Sequence, residues 1–422
     1  MTTKTEVFVG RYDGNLMGWE NDTNSSDEFN LFCAMAQLHL GCVKSCAISR
    51  RRGASAPILA TGGEDEYIRI FNLNTRKLMG TLEKQQGTIE SLKFFDDEGG
   101  HLWLLSGSED GTVCVWRVSD WVCGAVLKGH LGGVIDVAPH PSGKLCLTSG
   151  KDMTLRVWDL TRSKDSKRCV SIMKMKRAIY SVQFSPSGDS YALLSTHDIV
   201  IRDTVSSDMI AQIDHEYRVQ SFRFVSNDRI VTAGDDHVIR LWSFSSSKSE
   251  LIAEVETNAK SRIRDITTSL NKDTGVSEYI FSVSSNGLVQ MWNAQSLELK
   301  STVVAGSEGN HCTCIAAYVG LMNNGANAAA ATTTTTTKNK KRRRGKSSGN
   351  DDGIDVENSE KKKRVRIVEP PTVSSPASEK KKKKKKKKKT TKNDGSTTMS
   401  TRKKKKNNKD SKKKKLKKKK KQ

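Results

Sequence analysis

Residues 152–159 read Asp152-Met-Thr-Leu-Arg-Val-Trp158-Asp159, an acidic residue followed by a short strand-like run that ends in tryptophan. Copies of this pattern recur through the first 320 residues, and they end at Trp19, Phe71, Trp116, Trp158, Arg202, Trp242 and Trp292. Successive copies end 52, 45, 42, 44, 40 and 50 residues apart. A period of this size is typical of a protein built from stacked repeats.

Each copy has the composition of several short β-strands. In the fourth copy, apolar residues alternate over 134–137, 145–148 and 155–158, with the turn sequences Pro141-Ser-Gly143 and Gly150-Lys-Asp152 between them. Gly, Asp and Pro at this spacing end strands. Because a four-stranded propeller blade takes about 40–45 residues, the spacing predicts an all-β propeller. Its blades would bury their apolar faces by stacking on one another.

The first copy lies too close to the start of the sequence to supply a whole blade. Residues 8–10 and 16–19 match the second and third strands of a blade, whereas residues 313–319 follow the seventh copy and match a first strand. Pairing of these segments would close the ring and remove its exposed strand edges. We therefore predict a seven-bladed β-propeller over residues 1–320, closed by pairing of N- and C-terminal strands, followed by a tail over 321–422.

The tail differs from the body in charge. Of the 72 Lys+Arg and 47 Asp+Glu in the chain, 38 and 9 lie from Leu321 onward, which leaves a body of net charge −4 and a tail of net charge +29. The tail has no aromatic residue, and this composition predicts disorder. Lysine runs are typical of nuclear import signals and of non-specific RNA binding. We assign these roles to Lys340, Lys341, Arg342, Arg343, Arg344, Lys361, Lys362, Lys363 and Arg364.

The sequence lacks motifs for catalysis or metal binding. Its nine cysteines form no Cys-x-x-Cys pair, so we expect reduced thiols and no zinc site. No phosphate-binding loop, G-x-S-x-G or H-E-x-x-H motif occurs, and we expect no enzymatic activity, no catalytic or metal-binding residue and no cofactor. The N-terminus lacks a signal-peptide core and no apolar run reaches the length of a membrane span, so we expect a soluble intracellular protein.

Recurring His, Thr and Asp residues indicate hydrogen bonding within the repeats instead of chemistry. A buried tryptophan needs an acceptor for its indole N–H. This arrangement resembles the WD40 family, in which His, Ser/Thr, Asp and Trp form a hydrogen-bonded chain in each blade. The resemblance implies structural sets at His39, Thr61 and Asp65 (with Phe71 in place of Trp), at His130, Thr148, Asp152 and Trp158, and at His215, Thr232, Asp236 and Trp242. Gln85 replaces the third histidine, and the fifth copy has lost both His and Trp.

A narrower resemblance covers the whole body. It is carried by VFVGRYDGNLMGWEN (7–21), LATGGEDEYIRIFNL (59–73), LLSGSEDGTVCVWRVSDWVC (104–123), HPSGKLCLTSGKDMTLRVWDL (140–160) and TAGDDHVIRLWSF (232–244). These segments are similar to the family of the p21-activated-kinase-interacting protein and its fungal counterparts, WD40 factors of large ribosomal subunit assembly. The resemblance implies a nuclear and nucleolar, non-enzymatic scaffold, monomeric within larger complexes. It would bind assembly factors, ribosomal proteins and, through its tail, pre-rRNA.

The expected partner-binding face is one end of the propeller channel. In this fold the residue after the apolar residue that opens each first strand faces that end. By this rule we assign the face to Lys44, Glu90, Ile135, Tyr180, Gln220 and Arg264, and we add Arg218 and Arg262, which lie nearby. Because Arg and Tyr dominate the binding energy of protein interfaces, the expected anchors are Lys44, Tyr180, Arg218, Arg262 and Arg264.

Two other functions stay open from the sequence. The resemblance also implies binding and restraint of p21-activated protein kinases, although the basic tail argues against this as the sole role. A ubiquitin-ligase substrate receptor would favour Trp-Asp-x-Arg after a third strand. Trp158-Asp159-Leu160-Thr161 departs from that pattern at its last position.

Overall fold

The computed structural model describes residues 3–22, 29–49, 56–162, 168–245, 248–270, 274–305 and 311–321. These ranges form 28 β-strands and contain no helix, so no helix within them is long and apolar enough to cross a membrane. The strands are β1 (Thr3–Arg11), β2 (Leu16–Asp22), β3 (Asn30–Met35), β4 (Val43–Ile48), β5 (Ile58–Gly63), β6 (Ile68–Asn72), β7 (Lys77–Leu82), β8 (Ile89–Asp96), β9 (Leu102–Ser108), β10 (Thr112–Arg117), β11 (Val122–Lys128), β12 (Val134–Pro139), β13 (Leu145–Gly150), β14 (Thr154–Asp159), β15 (Cys169–Lys174), β16 (Ser181–Phe184), β17 (Ser190–Leu194), β18 (Asp198–Asp203), β19 (Met209–Asp214), β20 (Val219–Phe224), β21 (Arg229–Gly234), β22 (Val238–Ser245), β23 (Lys248–Glu256), β24 (Ile263–Leu270), β25 (Ser277–Ser284), β26 (Leu288–Asn293), β27 (Leu299–Val304) and β28 (Cys312–Leu321).

The strands form seven four-stranded antiparallel sheets, which are the blades of a propeller. Blades 2 to 7 each use four consecutive strands, from β4–β7 to β24–β27, whereas blade 1 has the order β28-β1-β2-β3. The first strands of the blades contact one another in the circular order β28, β4, β8, β12, β16, β20, β24 and back to β28. This ring of first strands surrounds a central channel, and it confirms the predicted seven-bladed propeller.

Closure of the ring is confirmed in blade 1. β28 pairs with β1 over nine residue pairs, from Thr3 with Leu321 to Arg11 with Cys312, so the predicted closing segment 313–319 is extended at both ends. Gly10 lies at a point of close approach in this junction, because a Cβ there would come within 2.7 Å of both Cys314 Sγ and Val43 Cγ1. The two ends of the body therefore hold each other in one sheet.

Apolar residues at alternate strand positions bury the faces between blades. Seven hydrophobic clusters occur within the described ranges, and each joins two neighbouring blades. Between blades 1 and 7, for example, Val7 and Trp19 pack with Phe281 and Met291. Full burial of one such side chain stabilises the fold by about 1.5–3 kcal/mol, and neither blade can achieve it alone.

The residue that ends each sequence repeat occupies one recurring backbone position. It lies on the third strand of its blade, where the register with the fourth strand shifts by one residue in all seven blades. A β-bulge of this kind bends the strand and changes the direction of nearby side chains. Arg202 keeps the shift although it is not aromatic, so the backbone geometry is retained where the tryptophan is lost.

The predicted tail over 321–422 lies, apart from Leu321, outside the described residues. Its disorder stays a prediction, as does the division of the chain at residue 320.

Candidate functional site

A second recurring bulge points side chains toward one end of the channel. In five blades, the pairing of the first and second strands skips one residue of the first strand, and these skipped residues are Lys44, Glu90, Ile135, Gln220 and Arg264. Thr313 is skipped in blade 1, and in blade 5 Tyr180 directly precedes β16. All five bulge residues had been assigned to the partner-binding face by their place after the first apolar residue of a strand.

The structure brings all the residues assigned to this face around one cavity of about 940 Å³. First strands from all seven blades line it, so the cavity is the open end of the central channel. We call this end the channel mouth and define it by Lys44, Glu90, Ile135, Tyr180, Arg218, Gln220, Arg262 and Arg264. Tyr12, Asp235, His237 and His311 also line it, and they were not assigned from the sequence.

One side of the channel mouth is cationic. The Arg218 guanidinium lies over the Tyr180 ring, 5.3 Å from its centroid, and Tyr180 is 42% exposed. Arg264 donates to Gln220 Oε1 over 3.0 Å, and Gln220 in turn donates to Asp235 Oδ1 over 2.8 Å. Within the described part of the chain, neither Arg218 nor Arg262 forms an ion pair. Two guanidinium groups are therefore available to a partner.

The opposite side of the channel mouth carries both signs of charge. Lys44 pairs with Glu64 at 3.2 Å. Burial raises the pKa of Glu90, while the positive charge of Lys44 opposes that shift. Arg218 and Arg262 would therefore attract an acidic surface of a partner, whereas Glu64 and Glu90 on the opposite side would partly repel it. This asymmetry favours one orientation of the partner.

Below the channel mouth, two aspartates join three blades each. Asp136 accepts from Ser91 Oγ at 2.7 Å and from Ser181 Oγ at 2.8 Å. Asp265 accepts from Ser221 Oγ at 2.8 Å and from the Ile315 N–H at 3.1 Å. Each carboxylate thus links its own blade to both neighbours.

The sequence reading missed these aspartates, although a signal was present. A Ser or Asp follows the opening apolar residue of a first strand by two positions, at Ser45, Ser91, Asp136, Ser181, Ser221 and Asp265. Cys314 takes the place in blade 1, where its Sγ lies 3.3 Å from Cys46 Sγ. Lys93 and Arg223 line the channel close by; burial and the Arg223 charge lower the pKa of Lys93, against the effect of Asp136 and Asp265.

Two of the implied WD40 sets are joined by hydrogen bonds. In blade 4, His130 Nδ1 lies 3.0 Å from Asp152, His130 Nε2 lies 2.7 Å from Thr148 Oγ1, and Trp158 Nε1 donates to Thr148 Oγ1 over 2.8 Å. In blade 2, His39 contacts Asp65 at 2.7 Å and Thr61 at 2.8 Å. Phe71 has no N–H to add, so this chain ends at the threonine.

The set in blade 6 differs from the expectation. Trp242 Nε1 donates to Thr232 Oγ1 over 3.1 Å, but His215 bonds to neither Thr232 nor Asp236, and its Nε2 has no partner among the described residues. Arg240 takes Asp236 instead. Burial first, and then the Arg240 charge, lowers the pKa of His215 to about 4. In blade 2, by contrast, Asp65 contacts both His39 and Arg69, so an arginine four residues after the aspartate does not by itself exclude the histidine contact.

In blade 3, Gln85 makes the hydrogen bond that histidine makes in blades 2 and 4. Ser106 Oγ donates to Gln85 Oε1, and Trp116 Nε1 donates to Ser106 Oγ over 2.9 Å. Gln85 also donates to the Thr112 carbonyl over 2.9 Å. An uncharged amide can therefore complete the chain, which shows that the position requires hydrogen-bonding geometry and no ionisation.

This geometry predicts acid sensitivity in blades 2 and 4. Burial lowers the pKa of His39 and of His130 below 6.5, despite Asp65 and Asp152. Burial alone would raise the pKa of Asp65, but His39 and Arg69 lower it to about 2; for Asp152, hydrogen bonds from the Leu131 N–H, Thr154 and His130 likewise lower it to about 2.

Since all four pKa values are lower in the folded state, the unfolded chain binds protons first as the pH falls. The histidines should cost stability below about pH 6.5 and the aspartates between about pH 4 and 2, each with a slope of at most about 1.4 kcal/mol per pH unit. We expect His39→Gln/His130→Gln, which copies Gln85, to flatten the melting temperature between pH 7 and 5. An unchanged slope in thermal melts would contradict this assignment.

The tail residues assigned to nuclear targeting and RNA contact do not form a second site in the described structure. Lys340–Arg344 and Lys361–Arg364 lie outside the described residues. Over the described ranges, no group of three or more His, Cys, Asp or Glu residues has the geometry to hold a metal ion. The channel mouth is therefore the surface on which the assigned residues converge.

Comparisons with known proteins agree with this fold. The family profile described as WD domain, G-beta repeat matches residues 76–117, 121–159 and 208–243. The chain is 29% identical over 322 residues to a p21-activated protein kinase-interacting protein 1-like protein of Xenopus laevis, covering 76% of this chain and 83% of that protein. It is 32% identical to its Gallus gallus counterpart over 62% of this chain and 68% of that protein. Protein MAK11 of Saccharomyces cerevisiae is 34% identical over 34% of this chain and 37% of its own length.

Proposed function

Because this chain belongs to the WD40 family of the p21-activated protein kinase-interacting protein 1-like proteins, we propose that it is a non-enzymatic scaffold in the nucleolar assembly and maturation of the large ribosomal subunit. The proposal takes the assembly role from the resemblance to the fungal factors. It gives the propeller the task of binding assembly factors or ribosomal proteins. The tail has the task of holding the protein near pre-rRNA.

The observation that carries the proposal is the cationic side of the channel mouth. Arg218 is stacked on the exposed Tyr180, Arg262 is unpaired among the described residues, and Arg264 is held in place by Gln220. Arg and Tyr are the residues that most often dominate interface energies. These arginines and Tyr180 surround the channel-mouth cavity of about 940 Å³, and this arrangement suits a protruding acidic segment of a partner.

The tail supports the second task by its charge. From residue 380 to residue 389, ten consecutive lysines present positive charge without an aromatic residue. Such a segment binds phosphate backbones without base specificity, and its affinity falls steeply with salt. A nucleolar protein surrounded by pre-rRNA would thereby gain local concentration, while the propeller selects its protein partners.

The test is a charge reversal of the channel mouth, Arg218→Glu/Arg262→Glu/Arg264→Glu, in the full chain. We expect it to keep its melting temperature but to co-purify and co-sediment with large-subunit precursors at least about ten-fold less, the loss expected for hot-spot residues. The matched control is Lys77→Glu/Lys128→Glu/Lys248→Glu, which reverses three exposed lysines on outer strands. A folded mouth variant that keeps every partner would refute the assignment.

A second arm of the same experiment separates binding from localisation. A variant that ends at residue 338 retains every described strand and should fold with an unchanged melting temperature. We expect it to leave the nucleolus, because it lacks the lysine runs. Retained nucleolar staining would show that the tail does not target the protein.

The names of the relatives favour a second candidate. They describe proteins that interact with p21-activated protein kinase. Under this alternative, the chain would bind such a kinase directly and restrain it, and the protein would be found in the cytoplasm. Direct binding of purified kinase to the propeller, abolished by the mouth reversal and present without ribosomal precursors, would favour this function over assembly.

A further inference from the structure

Blade 5 is the blade in which the sequence repeat has decayed. In blade 4, Trp158 pairs across the sheet with Cys146. At the same place in blade 5, Arg202 pairs with Tyr191. The large ring has therefore moved from the third strand to the second.

The hydroxyl that accepts the tryptophan N–H is also missing from blade 5. Thr148 pairs with Arg156, two residues before Trp158, and at the corresponding place Leu193 pairs with Val200. Blade 5 thus has neither the indole nor its acceptor. In their place, Tyr191 and Leu193 lie in one cluster with Leu147 and Leu155 of blade 4, and Arg202 lines the cavity beside them.

This exchange leaves a cavity of about 510 Å³ between blades 4 and 5. Blade 4 contributes Leu155 and Met173, the connecting segment contributes Met175 and Ile179, and blade 5 contributes Tyr191 and Leu193, among others. A volume of this size is within the range of ligand pockets. Methionine side chains at its wall can adapt to the shape of an occupant.

Three residues that line the cavity each carry a buried polar atom without a partner. Tyr191 Oη, Ser195 Oγ and Arg202 Nε are buried and have no hydrogen-bond partner among the described residues. Tyr191 and Ser195 are only 3% and 4% exposed. Buried polar groups in proteins are almost always satisfied, so three unsatisfied groups around one cavity indicate a place where an occupant supplies the missing partners.

The rim of the cavity is positively charged. Lys174, Lys176 and Arg177 line it and are exposed, and Arg202 adds a fourth cation from the wall. Among the described residues that line the cavity, Asp198 is the one acidic residue, and it already pairs with Arg177 at 2.9 Å. The rim therefore complements a negatively charged occupant.

We propose that this blade 4–5 cavity binds an acidic peptide segment of a partner protein, with one apolar side chain inserted between the blades. The carboxylates would contact Lys174, Lys176 and Arg177, and a backbone or side-chain polar group would meet Tyr191 and Ser195. The site is separate from the channel mouth. It does not depend on the function proposed above.

Charge and packing exclude two other occupants. The tail of this chain is strongly basic and would be repelled by the rim. A nucleic acid strand needs exposed aromatic faces for base stacking. Tyr191 is the one aromatic residue among the described lining residues, and it is buried and packs edge-on against Phe184 at 6.0 Å.

The test measures binding of a fluorescent peptide with five Asp or Glu residues on each side of a central Leu-Phe pair. A second peptide has Ser-Ser in place of that pair and reports the charge-only binding expected from the lysine tail. With the full chain at physiological salt, we expect the Leu-Phe peptide to bind about ten-fold tighter, since each buried apolar side chain adds affinity. Equal affinity for the two peptides would overturn the proposal.

Protein variants locate the binding on the chain. Lys174→Glu/Lys176→Glu/Arg177→Glu should weaken the Leu-Phe peptide by about ten-fold or more, whereas the control Lys77→Glu/Lys128→Glu/Lys248→Glu and the channel-mouth reversal should bind as the unmodified chain does. Tyr191→Phe should weaken binding by about five-fold without lowering the melting temperature, because its hydroxyl has no partner in the fold.

Two results would contradict the assignment of the peptide to the blade 4–5 cavity. One is a rim reversal or a Tyr191→Phe variant that folds and binds the Leu-Phe peptide with unchanged affinity. The other is displacement of the peptide by an oligouridylate of equal charge in a manner that depends on the rim, which would assign the cavity to nucleic acid. Failure of the mouth reversal to release ribosomal precursors would leave this proposal unaffected.

Discussion

Deletion of residues 312–319 is expected to abolish the cooperative thermal unfolding of the propeller. These residues form most of β28, the first strand of blade 1, and β28 also contacts the first strands of blades 2 and 7. Without them, blade 1 has three strands, an exposed edge at β1 and an open gap in the ring. Because each blade buries its faces only against its neighbours, the loss spreads to both sides of the gap.

The matched control is the chain that ends at residue 338, which keeps β28 and should melt in one transition at an unchanged temperature. Gly10→Val offers a graded version, since a Cβ at Gly10 already lies 2.7 Å from Val43 and Cys314. We expect it to lower the melting temperature without removing cooperativity. A deletion variant with an unchanged melt would show that the ring does not depend on β28.

The second large effect is expected from Trp158→Ala, which should lower the free energy of unfolding by about 3–5 kcal/mol. The indole is 1% exposed, belongs to the cluster between blades 3 and 4, and donates to Thr148. Truncation removes that packing and leaves a cavity. Trp158→Phe should cost less, about 1–2 kcal/mol, because it keeps most of the volume and loses the hydrogen bond. Urea unfolding monitored by circular dichroism measures both.

Arg202→Ala is the control, because Arg202 occupies the corresponding backbone position in blade 5. Its guanidinium donates to the Ser207 carbonyl over 2.8 Å, and its Nε lacks a partner among the described residues. We expect a cost of about 1 kcal/mol or less. Equal costs at Trp158 and Arg202 would mean that the bulge position itself, and not the buried indole, stabilises the blade.

Much of the candidate site was predictable from local spacing. The face residues follow the opening apolar residue of each first strand, and a bulge recurs there, so position in the repeat was sufficient to place Lys44, Glu90 and Arg264 at the channel mouth. Spacing along the chain did not predict the contacts of His215, the histidine of the blade 6 set. It lies 21 residues before Asp236, close to the 22 residues between His130 and Asp152, yet it bonds to neither Asp236 nor Thr232, and Arg240 pairs with Asp236.

The periodic features followed from the sequence alone: seven blades of short strands, their closure by the segment near residue 315, and the separation of a neutral body from a lysine-rich tail. Periodicity and charge are properties of neighbouring residues along the chain, so they can be counted. The bridging by Asp136 and Asp265, the isolation of His215 and the cavity beside Tyr191 depended on the tertiary structure. Each of them depends on distances of a few ångströms between side chains on different strands or blades, and the spacing of residues along the chain does not determine those distances.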